Sequence, residues 1–199
     1  GDGGFDQVYH EHLCYYSLHA LKHLVESEGF FIKDVKSVPM QGESLRVYAG
    51  KTSGYSVSAD EFLKKEKEMG LTNVGAYFGF SDKVVKNAKN VKKMLVDLKQ
   101  QRKKVVGYGA SAKGNTLLNY FGVGNDILDY IVDTTPLKQG LYSPGTHIPV
   151  VHPDKIKEDT PDYIFILAWN YADSIIEKES ALREKGVKFI IPVPEVKIF

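Results

Sequence analysis

The chain has 199 residues, of which 43% are hydrophobic and 26% are charged, and its formal net charge at pH 7 is +1. This composition is typical of a globular protein and excludes an intrinsically disordered chain. The near-neutral charge and the lack of a long apolar run make nucleic acid and membranes unexpected partners. The single cysteine excludes an internal disulfide and a thiolate-rich zinc site. It favours a reducing compartment, so we expect a cytoplasmic protein.

The first part of the chain predicts a small α+β portion. Apolar side chains recur at helical spacing over residues 18–28. Residues 30–38 and 45–51 alternate between apolar and polar side chains, which predicts two antiparallel strands. A short charged helix is expected over residues 61–69.

The pattern changes after a long amphipathic helix, which is predicted over residues 81–102. Strands are expected over residues 105–109, 127–133, 162–169 and 187–193, with helices over 110–121 and 171–186. Strands that alternate with helices indicate βαβ units and a parallel sheet covered on both faces. We therefore predict an α/β fold, a Rossmann-like parallel sheet with flanking helices, preceded by a smaller α+β portion. The predicted domains are residues 1–80 and 81–199.

The turn after the first strand of the predicted sheet contains Gly107, Gly109 and Gly114. In the dinucleotide-binding fingerprint, the third glycine would come two positions earlier. The turn alone is therefore equally consistent with a tight strand-to-helix connection. However, the backbone amides from Gly109 to Lys113 would lie at a helix N-terminus, which favours an anion. Ser111 adds a hydroxyl and Lys113 a positive charge.

Polar residues also follow the other strands, whose carboxyl ends should meet at the ligand-binding edge of such a sheet. Asp133 ends the second strand, where a dinucleotide-binding protein holds a ribose hydroxyl. The long loop that follows carries four polar side chains, Lys138, Gln139, Tyr142 and His147. Trp169 and Asn170 end the third strand and offer a stacking surface and an amide. Together these residues predict a nucleotide or diphosphate ligand.

The segment Tyr9, His10, Glu11, His12 lies near the start of the chain, in a stretch that we expect to be buried. A histidine beside a carboxylate is suited to accept a proton near neutral pH. In an extended segment, however, Glu11 and His12 would point to opposite faces, and only a turn would relax this constraint. A structural histidine and a metal site of His10 and His12 are the alternatives. We expect no metal site in this chain, since no further ligand occurs at a suitable spacing.

Five ordered segments together resemble the SAM-dependent C-methyltransferases that act on nucleotide-linked (dTDP-) deoxysugars. They are FDQVYHEHLCYYSLHAL, GESLRVYAG, VVGYGASAKGNTLLNYFG, IVDTTPLKQGLYSPGTHIPV and ILAWNYADSI. The resemblance covers nearly the whole chain and implies that it is the C-terminal portion of such an enzyme, a reading that the start at Gly1 also favours. A zinc-binding domain and a SAM-binding domain would precede it. SAM and zinc are therefore expected in those missing N-terminal domains, which would be its partners.

The resemblance also implies roles for single residues. His12 would remove the proton at C3 of a 4-keto sugar, Tyr9 and Glu11 would orient the base or the substrate, and the enolate would attack the methyl group of SAM. The nucleotide-sugar would be bound by Arg46, Gly109, Ala110, Ser111, Lys113, Gly114, Asn115, Thr116, Asp133, Lys138, Tyr142, His147 and Asn170. Glu43 departs from the family pattern, in which a glycine is usual.

Two other functions are consistent with parts of the sequence. The first is a non-catalytic nucleotide-binding module with a Rossmann-like fold, in which the segment from Tyr9 to His12 only packs. The second is an NAD-dependent oxidoreductase, which the displaced third glycine disfavours.

Overall fold

The computed structural model describes residues 4–38 and 44–199, so Glu43 lies outside the described residues. Contacts divide the chain into two compact units. One unit is His12–Asp82, and the other combines the residues up to Glu11 with Lys83–Phe199. The predicted division into residues 1–80 and 81–199 stays a prediction, which the unfolding of the separated pieces would test.

In its described residues, the smaller unit contains a two-stranded antiparallel sheet, two helices and the first part of a longer third helix. Its elements are α1 (Leu18–Ser27), β1 (Phe31–Val38), β2 (Ser44–Gly50) and α2 (Val57–Glu68). The predicted antiparallel strand pair is confirmed. Helix α2 begins earlier than predicted, because the Ser56 side chain caps it by accepting a hydrogen bond from the Ala59 amide. The core of the unit consists of Leu18, Ile32, Val35 and Ala59.

Helix α3 (Val74–Gln100) starts before the predicted residue 81. Almost all side chains of residues 74–83 are exposed, and the buried face begins only at Val84. The prediction was wrong at this end because a helical turn without a buried face leaves no amphipathic pattern in the sequence.

The larger unit is built on a six-stranded sheet in the order β5-β4-β3-β6-β7-β8. The strands are β3 (Val105–Tyr108), β4 (Ile131–Val132), β5 (Val150–Val151), β6 (Tyr163–Ile166), β7 (Lys188–Ile191) and β8 (Lys197–Ile198). All neighbours are parallel except β8, which runs antiparallel to β7. The helices are α4 (Ala112–Phe121), α5 (Lys155–Asp159), α6 (Ala172–Lys178) and α7 (Ser180–Glu184). The predicted α/β class with a smaller α+β portion is confirmed.

Alternate side chains of the strands enter two cores, one on each face of the sheet. Val105 packs with residues of α3 and α4, such as Leu95 and Leu117. Its neighbour Val106 packs on the other face, with residues of α5, α6 and α7 such as Ile156. Because both faces of the sheet are buried, successive residues of each strand are apolar, and the strands appear in the sequence as continuous apolar runs.

Three details of the sheet unit differ from the prediction. Strand β4 is shorter, because the amides of Ile127 and Leu128 bond to the Gly124 carbonyl in a turn. The helix predicted over residues 171–186 is two helices that meet at Glu179, whose side chain is buried. Strands β5 and β8 were missed, since two residues are too short to show a pattern. Within residues 4–38 and 44–199, no helix combines the length and the apolar composition needed to cross a bilayer.

Candidate functional site

The strand order creates a switch point at the carboxyl edge of the sheet. The chain leaves β3 toward β4 on one side, and β6 pairs with β3 on the other. Such a reversal opens a crevice between the loops that follow the two strands. A hollow of about 330 Å³ lies there. Its walls include Gly109 and Ser111 after β3, Asp133 after β4, and Ala168 and Tyr171 after β6.

The turn after β3 has no room for larger side chains. Gly109 has a φ of 89°, and a Cβ atom there would lie 3.0 Å from the Ala168 Cβ. At Gly114, a Cβ atom would lie 2.8 Å from the Leu167 Cβ. The Ser111 Oγ caps α4 by accepting a hydrogen bond of 3.0 Å from the Gly114 amide. These glycines therefore let α4 approach the end of β6 and bring its N-terminus to the hollow.

Asp133 and Lys138 connect the ends of β3 and β4. The Lys138 Nζ donates to the Ala110 carbonyl at 2.7 Å and lies 3.4 Å from the Asp133 Oδ2. The Thr135 amide donates to the Asp133 Oδ1 at 2.8 Å. Burial raises the pKa of Asp133, but the hydrogen bonds from Thr135 and the charge of Lys138 outweigh it and hold this pKa below its usual value. The lining of the hollow therefore includes an ionised carboxylate, and its partner, the partly exposed ammonium group of Lys138, lies next to the lining without being part of it.

Of the predicted binding residues, only Gly109, Ser111 and Asp133 line this hollow. Those outside its lining include Ala110, Lys113, Gly114 and Lys138. Tyr142 and His147 are exposed, with ring centroids 6.2 Å apart, and His147 adopts a φ of 51°. Asn115 and Thr116 lie one turn into α4, where the Thr116 hydroxyl donates to the Ala112 carbonyl.

Two further predicted binding residues outside the lining lie on different elements. Asn170 is half-buried in the short 3₁₀ turn Trp169–Tyr171. Arg46 is exposed on β2 of the smaller unit, opposite Lys36.

The histidine-rich segment forms a turn over residues 9–11. Glu11 is exposed, and Tyr9 and His12 are half-buried. The ring of His12 meets the edge of the Tyr15 ring, with 6.0 Å between centroids. Leu13 is 92% exposed, so the expectation that this stretch is buried is wrong. The many aromatic residues show that this segment is apolar in composition. They do not show whether another part of the protein packs over the segment and buries it.

Two buried polar contacts were missing from the sequence-based prediction. The Tyr108 hydroxyl, in the wall of the hollow, donates to the Glu179 Oε1 at 2.9 Å. Burial raises the pKa of Tyr108, and the hydrogen bond to Glu179 adds to this effect. The second contact joins Asp6 to the indole N–H of Trp169 at 2.6 Å. No local pattern could have indicated either pair, since their members are 71 and 163 residues apart.

A larger hollow, of about 580 Å³, lies at the opposite edge of the sheet. Its cations are largely neutralised, since Lys99 pairs with Asp129 and Lys104 with Asp159. It lies away from the switch point, so we assign the site to the smaller hollow. Over the described part of the chain, no three histidine, cysteine or carboxylate side chains are grouped in a way that could hold a metal ion.

Sequence comparison now identifies the family. A family model described as the C-methyltransferase C-terminal domain matches residues 39–194. The chain belongs to this family. It is also 35% identical over 197 residues to the C-methyltransferase NovU of Streptomyces niveus. This alignment covers 98% of the chain and 47% of NovU, so the chain spans about half the length of this curated relative. The predicted relationship to C-methyltransferases is confirmed.

The family match covers the whole switch-point hollow of this C-methyltransferase C-terminal domain, from Tyr108 to Lys178. Residues 9–12 precede the family match but lie within the region aligned with NovU, because that alignment covers 98% of the chain.

Proposed function

We propose that this domain binds the methyl acceptor of a SAM-dependent C-methyltransferase, and that the acceptor is a nucleotide-linked keto sugar, most simply a dTDP sugar. The observation that carries the proposal is the hollow at the carboxyl edge of the sheet, in a chain of this family. Its volume of about 330 Å³ lies within the range of small-molecule sites. Glycine-shaped turns and helix N-termini at this edge are suited to phosphate groups.

Positive and negative groups near the hollow would bind different parts of the ligand. The N-terminus of α4, together with the ammonium group of Lys138, favours the diphosphate. The ionised carboxylate of Asp133 is an acceptor for a hydroxyl group of the ligand. Because the Asp133 carboxylate already holds Lys138, the binding groups are in place before the ligand arrives.

The proposed reaction begins with removal of the proton next to the keto group, and His12 is the proposed base. Tyr9 and Glu11 orient His12 or the substrate. The carbon that loses this proton would then accept the methyl group that bound SAM would supply. SAM supplies the methyl group, and we propose that its site and the zinc of the family belong to N-terminal domains outside this chain. The cytoplasmic location stays a prediction.

Calorimetric titration with thymidine diphosphate tests the binding step on this chain alone. We expect saturable heat for the wild type and a loss of affinity of about tenfold or more for Lys138→Ala, because a charged contact to the diphosphate is removed. Lys185→Ala is the matched control, since Lys185 is exposed on the same unit and away from the hollow. If the wild type gives no heat at millimolar ligand, the binding proposal is wrong.

The catalytic step is tested in the full-length protein. His12→Ala should lower kcat by about 100-fold or more, as expected for loss of a general base. His23→Ala is the control, because His23 is exposed on α1. Near-wild-type turnover by His12→Ala would instead support the alternative of a non-catalytic nucleotide-binding module.

A further inference from the structure

The first described residues of the chain are fixed to the sheet unit at two points. The Phe5 ring stacks on Phe121, with centroids 5.6 Å apart, and lies 5.1 Å from the Tyr120 ring. Next to it, the Asp6 Oδ2 accepts a hydrogen bond of 2.6 Å from the Trp169 Nε1. The first contact is apolar and tolerates small displacements, whereas the second is directional.

Asp6 is an energetically unfavourable residue at this position. Its side chain is completely buried, and among the described residues its Oδ1 has no hydrogen-bond partner. Burial raises the pKa of Asp6, and the hydrogen bond from Trp169 and the charge of Lys113 only partly oppose this effect. Lys113 is also buried, with its Nζ 5.7 Å from the Trp169 ring centroid.

An apolar side chain would fill the position of Asp6 more favourably, since a buried charged group gains little net stability over packed apolar groups even when a cation lies nearby. Packing alone does not explain why a carboxylate occupies this buried position. A functional role for its directional hydrogen bond would explain it. The neighbours of Asp6 suggest this purpose. Trp169 directly follows β6, and Lys113 lies in the first turn of α4, so both belong to the carboxyl edge of the sheet.

We propose that Asp6 is a positioning residue for methyl transfer. Its buried carboxylate, held by the indole N–H of Trp169 and by the charge of Lys113, fixes the segment with Tyr9 and Glu11 at the carboxyl edge of the sheet. Tyr9 follows Asp6 by three residues, which limits how far the segment can move once Asp6 is bound. This inference rests on the proposed function, but the contact itself can be measured without any activity.

The first experiment detects the contact in this chain. Trp169 is the only tryptophan, so a nitrogen-15 labelled sample gives a single indole N–H signal that needs no assignment. Asp6→Leu keeps an apolar side chain in the buried position and removes the acceptor. We expect the indole signal to shift and its exchange with solvent to become about tenfold faster or more, as a hydrogen bond to a charged group is lost. Asp126→Asn, at an exposed aspartate of the same unit, should leave the signal unchanged.

The second experiment measures steady-state kinetics of the same variants in the full-length protein. Asp6→Leu should lower kcat by about 10- to 100-fold, since small misplacements of catalytic groups have effects of this size. The KM for the nucleotide-sugar should stay within about threefold, because Asp6 does not line the hollow and only an interaction of the reacting state is lost. Asp6→Asn keeps an oxygen acceptor for the indole and should restore part of the loss. Asp126→Asn should match the wild type.

Each outcome decides one part of the inference. An unchanged indole signal in Asp6→Leu would show that the contact does not exist. A shifted signal with unchanged kcat would show that the contact exists but does not position the segment. If the full-length wild type transfers no methyl group to any nucleotide-linked keto sugar, the proposed function and the positioning role both fail, while the indole measurement still decides the contact.

Discussion

Replacing Gly114 by alanine should have two opposite effects on the free energy of unfolding. Alanine inside α4 removes the conformational freedom of glycine and should stabilise the helix by about 1 kcal/mol. The new Cβ atom, however, would lie 2.8 Å from the Leu167 Cβ and 3.1 Å from the Ser111 Oγ. Carbon atoms normally approach to about 3.5–4.0 Å, so α4 or the end of β6 must move.

The destabilisation by the steric clash should exceed the gain in helix stability. Overpacking of this kind costs about 1–3 kcal/mol. Displacing Ser111 also weakens the N-cap of α4, which adds about 1 kcal/mol. After subtraction of the helix term, we expect Gly114→Ala to lower the free energy of unfolding by about 1–3 kcal/mol. The affinity for thymidine diphosphate should fall as well, because the N-terminus of α4 forms part of the hollow.

Urea unfolding followed by Trp169 fluorescence measures this change, since Trp169 lies two residues from Leu167 in the same unit. The control is Gly79→Ala in α3, where a Cβ atom would meet nothing within 4 Å. The control should stabilise the chain by about 0.5–1 kcal/mol, measured by circular dichroism. A Gly114→Ala variant as stable as the wild type would show that the close approach of α4 to β6 is not real.

Three further predictions concern single buried or paired groups. Glu66→Ala removes the acceptor of two backbone amides at the start of α1 and should destabilise the smaller unit by about 2–3 kcal/mol in thermal unfolding. Tyr108→Phe leaves its buried carboxylate partner without this donor and should cost about 1–3 kcal/mol in urea unfolding. The amide of Lys104 and the ammonium of Lys103 lower the pKa of Asp162. Because this pKa is lowered in the folded state, Asp162→Asn should lose up to about 1 kcal/mol at pH 7, and the difference from the wild type should disappear as the pH falls through that pKa. A difference that persists in acid would contradict this assignment.

Local patterns of apolar and polar residues were sufficient to predict most of the fold. Continuous apolar runs such as that at Tyr163–Ile166 occur because the sheet is covered on both faces, so their presence indicated a parallel sheet. The pattern failed where burial does not follow helix geometry, as in the exposed start of α3. It also failed at Glu179, which is buried between two helices because Tyr108 reaches it from β3.

The candidate site was predictable in part. Gly109, Ser111 and Asp133 could be placed at one edge because the carboxyl ends of parallel strands meet there whatever the loops contain. The loop partners of these residues could not be placed in this way. Lys138 bonds to the Ala110 carbonyl and lies beside Asp133, whereas Tyr142 and His147, from the same loop, are exposed, and none of the three lines the hollow. A sequence gives the composition of a loop, but the path of its backbone depends on contacts with other elements.

By itself, the sequence determined the fold class and the family resemblance, and it predicted the edge at which a ligand should bind. These follow from periodicity and motifs, which are local properties of the chain. Only the tertiary structure decided which polar groups pair with each other, such as the buried Asp6 with Trp169 across 163 residues. The physical reason is that burial and hydrogen-bond partnership belong to pairs of distant segments, and no spacing along the chain encodes which pairs will meet.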